Sequence, residues 1–403
     1  MTRALRDHRA RSKDTTVTIL QINKLYHPWI GGIETAARDF AGHYNKREDV
    51  VVTNLVCTPG GKRRLESVDG VPTWRAATWR IKLGMPISLD FFLLFWRLAK
   101  TAEMVLLHFP FPLAFVAYWA FARSKRLAVW YHSDIVRQKL LKIPFEFFHR
   151  YALARADVIL VSNKTIINQS PALRPFAHKC RVVYFGVDLK RFDEDVDTKV
   201  EQCIRKEYGE PLVLSVGRLV YYKGYEYLIE AMKQVPAKLL IVGSGPSERA
   251  LKQQIAESGL STRVTILPSV PNLVPYYRAA DIFVLASCEC SEVFGIVQIE
   301  AMACGKPVVN TSLLTGVPEV SVDGRSGYTV PAKNAAELAR ALKAIITDSK
   351  IYSNFSRHAR LDVEDRFCLR TMFSSLDLAL EASFEQVRVS EYRPSTGGLV
   401  PAA

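Results

Sequence analysis

At 403 residues with a formal charge of +14, the chain is longer than one hydrophobic core usually serves, and basic enough to attract nucleic acid, anionic lipid or phosphorylated substrates without choosing among them. Hydrophobic residues make up 49% and charged residues 23%, which excludes a collagenous, disordered or wholly membrane-embedded chain. The seven cysteines, at 57, 180, 203, 288, 290, 304 and 368, are odd in number and scattered, so reduced thiols in a cytosol are expected, and Cys288-x-Cys290 has the wrong spacing for a zinc knuckle.

Residues 1–15 form a basic leader with Arg3, Arg6, Arg9, Arg11 and Lys13, and lack the apolar core of a secretory signal. The β-branched run Thr16 to Ile22 predicts a strand, followed by the loop Trp29-Ile30-Gly31-Gly32 and a helix from about Ile33. Strands are expected at Val50 to Cys57, Met104 to Leu107, Leu127 to Tyr131, Val158 to Val161 and Arg181 to Tyr184. Leu89 to Lys100 reads as an aromatic-rich helix with terminal cations, suited either to a core or to a lipid headgroup region. Met104 to Ala122 holds nineteen residues without formal charge, but Pro110 and Pro112 split it into a buried strand and a helix from about Leu113, which argues against a membrane span. After Gly186-Val187-Asp188 the chain turns highly charged, which reads as a solvated link over 196–210. A second series of strands follows at Leu212 to Val216, Lys238 to Val242, Val264 to Leu267, Ile282 to Leu285 and Pro307 to Asn310. Two doubly wound Rossmann-like α/β domains facing a central cleft are predicted, with ligands at the carboxyl ends of the strands.

Four groups of residues carry candidate chemistry. Glu292 and Glu300 stand with seven residues between them around Phe294-Gly295-Ile296-Val297, which reads as a turn opening a helix. That puts Glu292 at the mouth and Glu300 about two turns in, where carboxylates accept from the hydroxyls of a hexose and of a ribose diol. Gly217-Arg218 leaves the first strand of the second series and reaches Lys223-Gly224, two cations of the kind a diphosphate needs as ligand and leaving group. Gly31 and Gly32 before a helix permit close backbone approach to a phosphate. His132 ends a strand within Tyr131-His132-Ser133-Asp134, and His108 opens the strand-end run His108-Phe109-Pro110. Gly243-Ser244-Gly245 is a Gly-x-Gly turn, but Glu248 occupies the third glycine position of a dinucleotide fingerprint, so a nicotinamide dehydrogenase is not indicated. No Asp-x-Asp run falls at a strand end, so no catalytic metal is expected.

Ser291 to Lys306 resembles the Glu-x7-Glu signature of retaining glycosyltransferases of family four, whose two-domain architecture is called GT-B, and the likeness extends over about residues 17–350. The resemblance implies an acceptor-side domain over 1–195, a nucleotide-sugar-binding domain over 211–368, a helix over 369–390 returning to the first domain, and a tail over 391–403. It also implies roles. Arg218 and Lys223 would hold the donor diphosphate, Glu292 the hexose and Glu300 the ribose; Gly31 and Gly32 would touch the donor phosphate and His132 the donor sugar. Gly217, Gly243 and Val270 would lie about the nucleotide, although Leu267-Pro268-Ser269-Val270 lacks the family's usual glycine. Ser-Glu-x-Phe-Gly-Ile-Val-Gln and Trp-Tyr-His-Ser-Asp-Ile-Val are similar to segments of bacterial mannosyl- and rhamnosyltransferases of surface polysaccharide assembly. Transfer of mannose from GDP-mannose to a lipid-linked glycan is therefore expected, without cofactor or metal, on the inner face of the cytoplasmic membrane at an anionic surface. UDP- and dTDP-sugars remain open as donors. The alternatives are a non-hydrolysing sugar-nucleotide epimerase and a non-catalytic adaptor for membranes or polyanions.

Overall fold

The computed structural model describes residues 16–29, 31–59, 61–82, 85–134, 139–194 and 198–391. The basic leader, Ile30, Ile135, Val136, Asp195, Asp197 and the tail from 392 lie outside the described residues. The chain divides into two compact units. One holds the residues up to Val161, Ala172–Arg181 and those from Ser375; the other holds Ser162–Pro171 and Val182–Ser374.

The first unit is built on strands β1 (Val17–Ile22), β2 (Val50–Pro59), β3 (Arg64–Val68), β4 (Val71–Thr78), β5 (Arg80–Lys82), β6 (Met85–Ile87), β7 (Met104–Phe109), β8 (Arg126–Tyr131), β9 (Val158–Val161) and β10 (Cys180–Val182). Its main sheet runs β10-β9-β8-β7-β1-β2-β4-β3, parallel from β9 through β4, while β5 and β6 form a separate antiparallel pair. Every residue of β7 is buried, as a strand covered on both faces requires. Helix Gly32–Tyr44 turns Ala36, Ala37, Phe40, Ala41 and Tyr44 inward, one face at helical spacing. Its end is fastened by the last helix: Tyr44 Oη donates to Asp377 Oδ1 at 2.8 Å and Arg47 pairs with the same carboxylate at 2.9 Å.

The uncharged stretch from Met104 resolves into β7 and helix Pro112–Phe121, with proline at the start of the helix where its missing N–H costs nothing. Among the described residues no helix is long and apolar enough to cross a membrane. Helix Leu89–Ala99 begins at Ser88, whose side chain accepts from the Phe91 N–H at 3.0 Å. It serves the core and the surface at once. Phe91, Leu94, Phe95 and Ala99 are buried, whereas Leu89, Leu93 and Trp96 face outward.

In the second unit β11 (Leu212–Val216), β12 (Lys238–Val242), β13 (Val264–Leu267), β14 (Ile282–Val284), β15 (Val308–Thr311) and β16 (Gly327–Val330) form an all-parallel sheet in the order β13-β12-β11-β14-β15-β16. The connections wind outward from β11 in one direction and from β14 in the other. A topological switch point thus falls between these two strands; in the first unit the corresponding place is between β1 and β7.

The charged stretch read as a link is not one where it is described. Thr198–Tyr208 is a helix that buries Ile204, and Asp193 makes two bonds to Arg360, at 2.7 and 2.9 Å. The strand expected at Arg181 to Tyr184 is shifted to Cys180–Val182. The division of the chain also differs from the expected boundary at 195, because 162–171 and the residues from 182 pack with the second unit. Glu319 explains the first of these placements. Its carboxylate accepts from the N–H groups of Lys164 and Thr165, the Thr165 hydroxyl and the Tyr184 hydroxyl, capping the short helix Thr165–Gln169 from 154 residues away. Helix Leu369–Glu391 begins among the residues of the second unit and ends among those of the first.

Candidate active site

In the second unit the loops leaving β11 and β14 carry the candidate residues to the switch point. Gly217 and Arg218 follow β11 directly, and Lys223 ends a short 3-10 turn, Tyr221–Lys223. The loop after β14 contains Ser287 and Glu292 and ends in helix Ile296–Ala303. Lys223 and Glu292 meet: Nζ lies 2.5 Å from Oε2, with both side chains only 11% exposed. The same oxygen accepts from the Ser287 hydroxyl at 3.0 Å. A carboxylate expected on the sugar and a cation expected on the diphosphate are therefore ion-paired with each other. Arg218, by contrast, is exposed, and its guanidinium makes no ion pair with the described residues.

Helix Ile296–Ala303 starts where sequence reasoning puts it. Gly295 precedes it with φ of +76°, a backbone conformation that side chains oppose, and a Cβ there would also sit 2.5 Å from Leu285. The N–H groups of Ile296 and Val297 fall in the first turn, ahead of the helix's own bonding. Phe294 is buried with Tyr184, Phe185 and Phe367, so its ring anchors the loop. Glu300 is the fifth residue of the helix, little more than one turn in, not two. Its Oε2 accepts from the buried Tyr277 hydroxyl at 2.7 Å. Burial raises the Glu300 carboxyl above the ordinary range, the Tyr277 bond acting against it; burial and then the Glu300 charge push Tyr277 well up.

The glycines at the ends of β11 and β12 serve each other. A Cβ on Gly243 would lie 1.9 Å from the Gly217 carbonyl oxygen, so the two loops touch backbone to backbone. Their N–H groups are already used, Gly217 donating to Val242 and Gly243 to Leu267. Val270 lies half-buried in the loop beyond β13.

In the first unit Gly31 and Gly32 open helix Gly32–Tyr44 after β1, with Gly31 in extended backbone that any residue adopts. His132 follows β8 and is buried against His108 from the end of β7. Nδ1 of His108 and Nε2 of His132 are 2.9 Å apart, and the rings stack with Trp130. Burial holds His108 down to about 3 and His132 well below its usual value, the latter also through His108. At neutral pH both rings are uncharged, so His132 is a neutral hydrogen-bonding group. Ser287, Tyr277 and the His108–His132 bond have no motif of their own in the sequence; only the strand-end positions of Ser287 and His108 could have singled them out.

Two family models together span most of the chain: "Glycosyltransferase Family 4" over residues 30–191 and "Glycosyl transferases group 1" over 197–362. The D-rhamnosyltransferase WbpZ of Pseudomonas aeruginosa is 31% identical over 259 residues, 64% of this chain and 67% of that protein. This chain belongs to the glycosyltransferases. O-antigen chain mannosyltransferase C of Escherichia coli is 27% identical over 70% of this chain and 76% of its own length. Two solved structures share the fold: HepE of Anabaena in complex with UDP, at a TM-score of 0.72 and 21% identity, covering 91% of this chain and 100% of that one, and sucrose-phosphate synthase of Thermosynechococcus elongatus, at 0.73 and 22%, covering 93% and 100%. The glycosyltransferase is thus an enzyme of GT-B fold, with two Rossmann-like α/β domains.

Proposed function

We propose that this glycosyltransferase is a retaining hexosyltransferase that moves mannose from GDP-mannose onto a lipid-linked glycan in surface polysaccharide synthesis. The observation that carries the reading is the Lys223–Glu292 contact at the switch point, with exposed Arg218 on the same loop as Lys223. A diphosphate with two negative charges competes with Glu292 for Lys223 and recruits Arg218, and the released carboxylate is then open to sugar hydroxyls. The bond from the anomeric carbon to the phosphate oxygen breaks as the cations take up the developing charge. The acceptor hydroxyl attacks from the same face and gives its proton to the departing phosphate oxygen. Glu300 takes the ribose. Arg218 and Lys223 supply the charge that a metal would otherwise supply, so transfer is expected to survive EDTA. Gly31 and Gly32 as phosphate contacts and His132 as a sugar contact belong to the same proposal, as do Gly217, Gly243 and Val270 about the nucleotide. For Gly217 and Gly243 that role falls to groups other than their committed N–H donors.

Mannose is favoured by the mannosyltransferase among the relatives, while the UDP held by the Anabaena protein keeps a uridine donor as the competing outcome. The membrane side of the proposal rests on the outer face of the first unit. Trp79 and Leu89 are each 88% exposed, Leu93 and Trp96 continue the stripe, and Lys100 Nζ lies 3.5 Å from the Trp96 ring. Exposed aromatics beside a cation, on a chain of charge +14, suit an anionic bilayer surface.

The test is mass spectrometry after incubation with GDP-, UDP- and dTDP-sugars, with and without membrane lipid extract. Mannose appearing on a lipid only from GDP-mannose is the expected result. Another sugar on the lipid overturns the donor assignment, and isomerisation of a free nucleotide sugar overturns transfer in favour of an epimerase.

A further inference from the structure

We infer that Ser287 and Tyr277 are positioning residues, each assigned to one of the two carboxylates, so that recognition of the hexose and of the nucleoside are set by separate hydroxyl groups. The inference rests on the reading in which Glu292 meets the hexose and Glu300 the ribose.

Each carboxylate accepts one bond from a buried hydroxyl, Glu292 from a serine five residues earlier in its own loop and Glu300 from a tyrosine of a separate helix. Ser287 is fully buried and donates to Glu292 Oε2 at 3.0 Å. Its own carbonyl accepts from Thr311 Oγ1 at 2.5 Å, at the end of β15, so this start of the loop that also carries Glu292 is fixed to the sheet. Tyr277 belongs to helix Val274–Ala279, packs near Phe283 with ring centroids 5.9 Å apart, and donates to Glu300 Oε2 at 2.7 Å. That helix is tied down separately, through Lys306 Nζ to the Arg278 carbonyl at 2.8 Å and Arg278 to the Phe192 and Glu194 carbonyls.

The consequences follow from what each bond does. An ionised carboxylate has about four lone-pair sites, and a single fixed donor on one oxygen leaves the rest aimed in a defined direction. When a diphosphate draws Lys223 away, the Ser287 bond is the one that still holds Glu292. Ser287 therefore acts after donor entry, when the sugar must be oriented. Tyr277 acts on the nucleoside before any sugar is sensed, and it lowers the cost of an ionised Glu300 in a site where burial opposes ionisation.

The full-length protein carrying Ser287→Ala, Tyr277→Phe or Glu292→Gln is compared with the unsubstituted chain by calorimetric titration with GDP and GDP-mannose, and with UDP and UDP-glucose. Transfer kinetics are measured alongside. The ratio of diphosphate Kd to nucleotide-sugar Kd reports hexose recognition alone. Ser287→Ala is expected to leave diphosphate binding within about twofold, to lower the ratio about tenfold, and to reduce kcat. Tyr277→Phe is expected to weaken diphosphate and nucleotide sugar together, about tenfold each, with the ratio and kcat unchanged. If Ser287→Ala lowers thermal stability instead, Ser287→Thr, which keeps the hydroxyl, must restore the ratio. Failure to do so in a folded variant overturns the inference. Glu292→Gln separates the two levels. A ratio collapsed by Glu292→Gln but untouched by Ser287→Ala overturns Ser287 as a positioning residue and leaves the hexose role intact. A ratio unmoved by Glu292→Gln overturns that role itself.

Discussion

At the scale of single residues, the candidate site holds one cation paired with a carboxylate, Lys223 with Glu292, and one, Arg218, that makes no ion pair with the described residues. Lys223→Ala would leave Glu292 buried without its cation, at a cost on the order of 3 kcal/mol in stability, and adding Glu292→Gln should recover most of that loss. Denaturant melts of the two single variants and the double variant give the coupling directly. Arg218 makes no such ion pair, so Arg218→Ala should leave the melt unchanged while lowering kcat by about a hundredfold or more. The two histidines make a different prediction, on pH. Their folded values lie below the unfolded value near 6.5, so the unfolded chain binds protons first as the solution is acidified. Stability should be flat above about pH 6.5 and fall below it, by up to about 1.4 kcal/mol per pH unit for each ring. Melts of His108→Asn across this range should show a shallower fall. In the proposed role Glu300 acts on binding: its raised carboxyl would have to be ionised to accept both ribose hydroxyls, so diphosphate affinity should weaken as pH drops through its raised value, and less so in Glu300→Gln.

At the scale of elements, the contact between the β11 and β12 loops is the least forgiving. Gly243→Ala would drive a methyl group against the Gly217 carbonyl, which only a backbone shift can relieve, and a loss of about 2 kcal/mol or more in thermal unfolding is expected. Ser88→Ala should cost about 1 kcal/mol through its helix cap and leave the donor site untouched. The strands β1, β7, β8, β9, β11, β12 and β14 were legible because each is a short apolar run, the pattern that burial on both faces demands. The hairpin of β3 and β4 was not. Its residues alternate Arg64, Glu66 and Arg75 with apolar neighbours, and Arg75 is buried only because Glu66 and a backbone carbonyl pair with it, a tertiary fact. β16 escaped for a similar reason: Gly327-Tyr328-Thr329-Val330 is too short to show a period, and it is fixed as a strand by its register with β15. At the candidate site, Glu292, Arg218 and Lys223 stand out by their spacing, but the pairing of Lys223 with Glu292 does not. Ser287 and Tyr277 are ordinary residue types, and nothing in the sequence marks the hydrogen bonds that their hydroxyls make to the two carboxylates.

At the scale of the whole molecule, net charge and the exposed tryptophans bear on the membrane proposal. Flotation with anionic vesicles should be strongest at low salt and should weaken as salt rises. Trp79→Ala with Trp96→Ala should reduce it further without changing diphosphate binding, because both side chains point away from the core of their unit. Binding indifferent to both salt and the tryptophans would count against that face. The last helix has a bearing on how the protein is made. Tyr44 and Arg47 wait for Asp377, and Tyr44 also for Phe384, so the unit whose synthesis starts first is finished last. During translation the ribosome releases every residue of the second unit before it supplies the segment that closes the first. The first unit therefore has to stay unsealed through more than three hundred residues of elongation, and a chain stopped at Ser374 should keep a protease-resistant second unit while its first is digested.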